Sequence, residues 1–541
     1  MKKLISLIIV CALCLGAFSL AACSNSPQEA KLDPENMPVH VSDDKYRNYY
    51  HIWVCSFNDS NGDEVGDING ITEKLDYIND GDPTTDTDLG LDGIWLSPIM
   101  PSDSYHKYDV DNYMDIDPEF GTLEDFDRFI AECDKRGITV ILDLVLNHCG
   151  TDHEYWKKAV EEVKEGNLEG YAKYYRFTSS GGFPGEGYRQ LGGCPGIWFE
   201  GQFTSEMPEW NLAYEGTREY FEEVAKFWLD RGVGGFRLDA VKYMTDETTD
   251  GAEFLNWFYT TAQKYKPDVY MVGENWQGNS ELYEIYESGI DSQFAFSFAT
   301  SSGNIASAVK SGDGKSLAAQ LKKFDDNSHK ANENVINAMF LSNHDTVRSG
   351  NYFPAGLAQQ KMAAAAYLLM PGNSFTYYGE EIGMKTPSAN VQNDAYFRGP
   401  MIWDGDVEPD IWCTAGAYSE IPYGGVKQQT DDENSLLSFY RDAIKVKNQN
   451  YELARGKVTE IVTFDNSSIC AFKVVYNETE LLVIHNLDDE SAATLEITEE
   501  ILKNAVVTGS LVAGDTEDKV ELKDGKLTLP AQSSAILRTN A

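Results

Sequence analysis

GTLEDFDRFIAECDKRGITVILDLVLNH (residues 121–148) sets two periodicities side by side. In its first half Thr122 and Asp125 form a capping pattern. Leu123, Phe126, Phe129, Ile130 and Cys133 then recur at the spacing of one helix face, and Gly137 ends the run. The second half, ITVILDLVLNH, is an unbroken apolar stretch of strand length, the kind covered on both faces of a parallel sheet. A helix that feeds at once into a buried strand is one unit of an α/β fold.

The unit repeats along the chain. EYFEEVAKFWLDRG precedes VGGFRLDAV, another helix precedes DVYMVGEN, and KMAAAAYLLMPG precedes SFTYY. Over this length the rhythm predicts a (β/α)8 barrel, with an open doubly wound sheet as the alternative. Residues 149–212 interrupt it with a Gly- and aromatic-rich stretch, too long for a bare loop and so read as a small inserted domain, with a lid as the alternative. The barrel therefore comprises residues 46–148 and 213–450. Beyond it, KVTEIVTF, ICAFKVVY, ELLVIHNL, AATLEI and KLTLPAQSSAILR are short strands between Asn, Asp and Gly turns, which predicts an antiparallel β-sandwich over residues 451–541.

The chain has 541 residues and a formal net charge of -43, a surface that disfavours nucleic acid and anionic lipid. Its start reads as a targeting segment: Lys2 and Lys3, an apolar run, then LAAC at 20–23. LAAC resembles a bacterial lipobox, which makes residues 1–23 a signal peptide and Cys23 the lipidation site; the alternative is an ordinary secretory signal. Either way the protein is expected to be exported, lipid-anchored at the cell surface or secreted, and monomeric, touching membrane only through that anchor. Residues 24–45 read as a linker. The six cysteines outside the leader form no CxxC pair, and Cys55 and Cys133 are expected to be buried thiols.

DSNGDEVGDING (59–70) places oxygen-bearing residues at every second position: Asp59, Asn61, Asp63, the carbonyl of Val65, then Asp67. Such alternation can wrap a hard cation. Glu64 and Gly70 stand where an EF-hand needs Gly and Glu, so that motif is excluded. A solvated acidic turn is the other reading.

Polar residues break the apolar runs at the carboxyl ends of strands, where barrel enzymes keep their chemistry. Asn147 and His148 end one run, Arg237 and Asp239 share a face of the next, Glu274 ends a third, and His344 and Asp345 end a fourth. Arg237 with Asp239 could be a structural ion pair. The one arrangement that uses all four ends is a carboxylate-lined pocket.

These stretches, DLVLNH (143–148), GFRLDAVK (235–242), GENW (273–276) and FLSNHD (340–345), resemble the signature regions of the α-amylase family, glycoside hydrolase family 13. MPEWN (207–211), YYGEEIGM (377–384) and SFNDSNGDEVGDINGI resemble its other motifs. The resemblance implies a retaining α-glucan hydrolase with Asp239 as nucleophile, Glu274 as general acid and base, and Asp345 as the third carboxylate. It further implies substrate contacts from Tyr108, His106, His148, Arg237, His344, Lys242 and Arg348, and Ca2+ held by Asp59, Asn61, Asp63, Val65 and Asp67. YHKY (105–108) resembles the amylase form, with Tyr105 where oligo-1,6-glucosidases tend to carry Asp, and so implies endo-acting α-1,4 cleavage of starch, glycogen and malto-oligosaccharides. Activity of the oligo-1,6-glucosidase or neopullulanase type, or 4-α-glucanotransfer, is the alternative. A non-catalytic glucan-binding lipoprotein is a distant one, since such proteins usually lose a carboxylate.

Overall fold

The computed structural model describes residues 33–539 apart from 35, 180–181, 246–248, 408, 410 and 412–416. The opening stretch folds as its periodicities predict. Thr122 and Asp125 close a reciprocal capping box on helix Leu123–Lys135, whose Phe126, Phe129, Ile130 and Cys133 are buried. The strand Thr139–Leu144 follows directly.

That strand is β3 of an eight-stranded parallel sheet. The others are β1 (Asn48–Ile52), β2 (Gly93–Leu96), β4 (Gly235–Leu238), β5 (Tyr270–Gly273), β6 (Ser292–Gln293), β7 (Ala338–Phe340) and β8 (Asn373–Tyr377). β8 pairs back onto β1, and a parallel bridge between Phe294 and Ala338 joins β6 to β7, closing the barrel. Tyr49, Trp95, Ile141, Tyr270, Phe294, Phe340 and Phe375 fill its interior. Gly235 allows the tight approach of β4 to β5, since a Cβ there would lie 1.9 Å from the Tyr270 carbonyl oxygen.

Register then decides what stands above this apolar plug. Asp143 on β3 is the direct partner of Arg237 on β4, and His51 on β1 is the partner of both Trp95 and Tyr377. Side chains alternate along a strand, so these polar residues form the inward layer next to the barrel mouth.

The inserted segment carries helix Glu154–Lys164 and a three-stranded antiparallel sheet (Phe177–Ser179, Tyr188–Gln190, Ile197–Glu200). Trp210, in MPEWN, is 1% exposed and packs on Tyr175, so it is core. The C-terminal part forms a five-stranded and a three-stranded antiparallel sheet, with Leu482, Ile484, Leu495, Leu527, Leu529 and Leu537 in a common core.

Two expectations are corrected. Cys133 is a free buried thiol, but Cys55 is disulfide-bonded. The stretch read as a linker up to residue 45 is also not all linker. From Met37 onward it lies on the barrel base: the Met37 carbonyl accepts from Gln449 Nε2 at 2.8 Å, and His40 N donates to the Asn448 carbonyl at 3.1 Å. The His40 ring stacks on Tyr451 at 4.3 Å, and Arg455 donates to Asp44 at 2.7 Å and to Ser42 at 2.8 Å. A polar composition suggests a solvated tether; these partners, more than 400 residues away, made the difference. Among the described residues, no helix is long and apolar enough to cross a membrane.

Candidate active site

The mouth of the barrel is organised around one guanidinium. Arg237 is fully buried, and its Nη1 lies 2.7 Å from Asp143 Oδ1 and 2.7 Å from Asp239 Oδ1, while its Nη2 lies 3.7 Å from Glu274 Oε2. Three carboxylates on one cation leave an excess of negative charge. Arg237 also lies over Trp95 and Tyr108, at 5.4 and 5.7 Å from their ring centres; burial works against its charge, but the surrounding acids, Asp143 first, outweigh burial and keep it charged.

Two of these carboxyls, Asp143 and Glu274, are raised by burial, each to about 7. At Glu274 the Arg237 charge opposes this, and Asp239 and Asp345 add to it. The chain turns sharply after Asp239 through Ala240, whose left-handed φ of 51° aims its N–H at Glu274 Oε2, 2.9 Å away. A carboxyl with that range can hold a proton near neutrality and give it up.

Asp345 lies on the opposite side. Burial works against its ionisation, but His344 and Arg398 overcome that and hold it well below the usual carboxylate range. His344 Nε2 is 2.9 Å from Asp345 Oδ2 and 2.7 Å from the Tyr108 hydroxyl. Burial pushes the His344 imidazole down while Asp345 opposes this, and Nε2 is the ring nitrogen placed to donate to the Asp345 carboxylate. Tyr108 in turn donates to Asp143 Oδ2 at 2.9 Å. His148 is also buried and pushed down, and its Nε2 is buried with no protein partner. An orphaned ring nitrogen at the mouth suits a ligand hydroxyl.

Of the expected site residues, then, Asp239, Glu274, Asp345, Arg237, Tyr108 and His344 converge. His106 joins through its Nδ1, which accepts the Tyr108 N–H at 3.1 Å. Lys242 follows β4 closely, its Nζ 4.6 Å from the Tyr243 ring centre. Arg348 does not converge. Its guanidinium is buried against Tyr377 and Tyr378 and donates to the carbonyls of Tyr378 (2.7 Å) and Gly399 (3.3 Å), so it braces the wall instead of facing substrate.

The cation that does face the site was missed. Arg398 donates to Asp345 at 2.9 Å, to the His344 carbonyl at 3.0 Å and to the Tyr105 hydroxyl at 2.8 Å, and pairs with Asp394 at 3.1 Å. It rests 4.5 Å over Trp53, which also stacks on His344. The available signal was its isolation, as the only basic residue between Lys385 and Lys427. Asp143, quoted within DLVLNH, was given no role either.

The loop from 59 to 67 holds its oxygens in a row of small turns. Asp59 accepts the N–H groups of Asn61, Gly62 and Glu64, Asn61 that of Asp63, and Asp63 that of Val65. Asp67 caps helix Ile68–Glu73 and accepts from Ser60. Oxygen-only donors in such a series fit a hard cation. Separately, carboxylate oxygens of Asp103, Asp111 and Asp152 come within 4.8 Å of one another.

A closed parallel barrel with paired carboxylates at its carboxyl-end mouth is the architecture of a glycoside hydrolase. The profile described as "Alpha amylase, catalytic domain" matches residues 51–456, and that of the "Alpha-amylase SusG C-terminal domain" matches 469–536. Alpha-amylase 3 of Dictyoglomus thermophilum is 34% identical over 82% of this chain and 85% of its own length. Oligo-1,6-glucosidase of Bacillus cereus is 27% identical over 84% and 92%. The solved structure of Eubacterium rectale Amy13B superposes with a TM-score of 0.85 at 36% identity, covering 94% of this chain and 98% of that one. The chain belongs to the α-amylase family, glycoside hydrolase family 13, and is a glycoside hydrolase of the α-amylase type.

Proposed function

We propose that the protein cleaves internal α-1,4-glucosidic bonds of starch, glycogen and malto-oligosaccharides with retention of configuration. Glu274 protonates the glycosidic oxygen as an Asp239 oxygen bonds to the anomeric carbon, and the bond to the leaving sugar breaks. Glu274 then takes a proton from water, whose oxygen displaces Asp239 and restores the free enzyme. Contact of both carboxyls with one guanidinium supports the short separation, about 5 to 5.5 Å, on which retention depends. Asp345 grips ring hydroxyls of the reacting glucose, His148 donates to it, His344 holds Asp345 in place through Nε2, and Tyr108 and His106 line its floor.

The observation that carries internal cleavage is a pair of exposed rings at different strand ends of the mouth, one just beyond β5 and one against residues that follow β3 and β4. Trp276, 43% exposed, lies flat on Phe296 at 4.8 Å just beyond Glu274. Phe203, 40% exposed, covers His148 from the inserted domain and meets Tyr243 edge-on. Exposed aromatic faces at different strand ends suit glucose units on both sides of the cut. Products from starch, pullulan, isomaltose and maltotriose test this. Mixed malto-oligosaccharides from starch are expected; glucose alone, or faster turnover of isomaltose, would favour the 1,6-glucosidase alternative, and longer products from maltotriose would indicate transfer.

Asp59, Asn61, Asp63, Val65 and Asp67 would hold Ca2+ and brace the loop after β1. The protein is exported and anchored through Cys23, a reading that the Cys55 disulfide supports.

A further inference from the structure

We infer that the anchored protein stands with its barrel base toward the membrane and its catalytic mouth toward the medium. The inference rests on lipidation of Cys23 and adds to it the direction the site faces.

The arm from Met37 to Lys45 is seated at the amino ends of the barrel strands. Val39, His40, Val41 and Ser42 wall a cavity of about 220 Å3 together with Gly90 and Asp92 just ahead of β2, Gly137 just ahead of β3, and Asn448. Its other contacts, with Gln449, Tyr451 and Arg455, lie on the segment whose Ala454 carbonyl accepts from Gly372 N, just ahead of β8, at 2.9 Å, and so at the same end. The catalytic groups sit at the opposite end: Asp239 follows β4, Glu274 follows β5, and Asp345 lies beyond β7. The chain is thus clipped to the face farthest from the chemistry.

Chain length converts this placement into an orientation. Met37 is 14 residues beyond Cys23, and a fully extended chain gains at most about 3.6 Å per residue, so the reach is about 50 Å. A compact body of this size has a radius of gyration of about 24 Å and a diameter of about 60 Å. Running from the clip round the flank to the mouth would take about 90 Å, beyond the reach even of an extended chain. The mouth cannot be turned onto the bilayer while the arm is docked. A polysaccharide too large to enter the gap beneath the enzyme would still reach the carboxylates.

The test uses full-length lipidated protein reconstituted in phosphatidylcholine vesicles containing nitroxide-headgroup lipid. A fluorophore is attached through Asp134→Cys, exposed at the base, or Phe183→Cys, exposed on the inserted domain above the mouth, each in a Cys194→Ser background. Several-fold stronger quenching from position 134 is expected. Equal quenching, or stronger quenching from 183, overturns the orientation. Protein that stays off the vesicles, as a Cys23→Ser chain should, overturns the anchor on which it rests. His40→Ala with Arg455→Ala releases the arm and should narrow the difference between the two positions, with hydrolysis of a short soluble malto-oligosaccharide unchanged. An undiminished difference would show that the arm does not set the orientation.

Discussion

Arg398→Met removes the cation on which the third carboxylate depends. The guanidinium makes four polar contacts: Asp345 at 2.9 Å, Asp394 at 3.1 Å, the His344 carbonyl at 3.0 Å and the Tyr105 hydroxyl at 2.8 Å. Removing one partner of a buried ion pair costs about 3–5 kcal/mol. The side chains of Asp394 and Asp345 are 54% and 29% exposed, so solvent relieves much of the loss at the first and some at the second. Allowing for that screening, a stability loss of about 2–3 kcal/mol is expected, read as a lower urea midpoint with unchanged slope. The catalytic effect should be larger than the stability effect suggests, because Asp345 keeps His344 on Oδ2 but loses the donor on Oδ1 that completes its orientation. A group placed to act in the transition state contributes about 3–4 kcal/mol, so kcat/KM on maltotetraose should fall about 10²- to 10³-fold, mostly in kcat. Arg398→Lys keeps the charge but cannot make the four contacts at once, and should recover stability more than rate. A urea midpoint and a kcat/KM both within twofold of the parent would refute the reasoning.

Asp239→Asn should abolish turnover while keeping the circular dichroism of the parent, with a lower thermal midpoint because buried Arg237 loses a paired charge; residual activity above about one part in 10⁴ would remove the nucleophile role. Glu274 must be protonated to act as acid, and burial pushes it up to about 7, so kcat/KM should be full below that value and fall as pH rises through it. Glu274→Gln should lose this alkaline limb for substrates whose leaving group needs no proton, and an unchanged limb would assign it to another residue. Chelator should lower the thermal midpoint, and added Ca2+ should restore it in the parent but not in Asp59→Ala with Asp63→Ala; calorimetry showing no Ca2+ binding to the stripped parent would remove the ion from the loop.

Most of the architecture was open to a reader of the chain, because it is written in local periodicity. A helix stripe such as Phe126–Cys133 followed by an apolar strand needs no distant information, and polar residues that end buried strands must lie at one rim of a barrel. That logic located Asp239, Glu274 and Asp345 at a common mouth. It also supported the inserted domain and the terminal β-sandwich, since a loss of helical spacing is equally local.

What the tertiary structure alone decided is which charges meet. Arg348 stands three residues from Asp345 and turns into the wall, whereas Arg398, 53 residues away, supplies the ion pair. Asp143 and Arg237 meet because β3 and β4 pair in that register, and the N-terminal arm docks because Asn448, Tyr451 and Arg455 come round to the base. Periodicity records which face a residue takes along its own element. Pairing between elements depends on strand register and loop paths, which form only when the whole barrel closes.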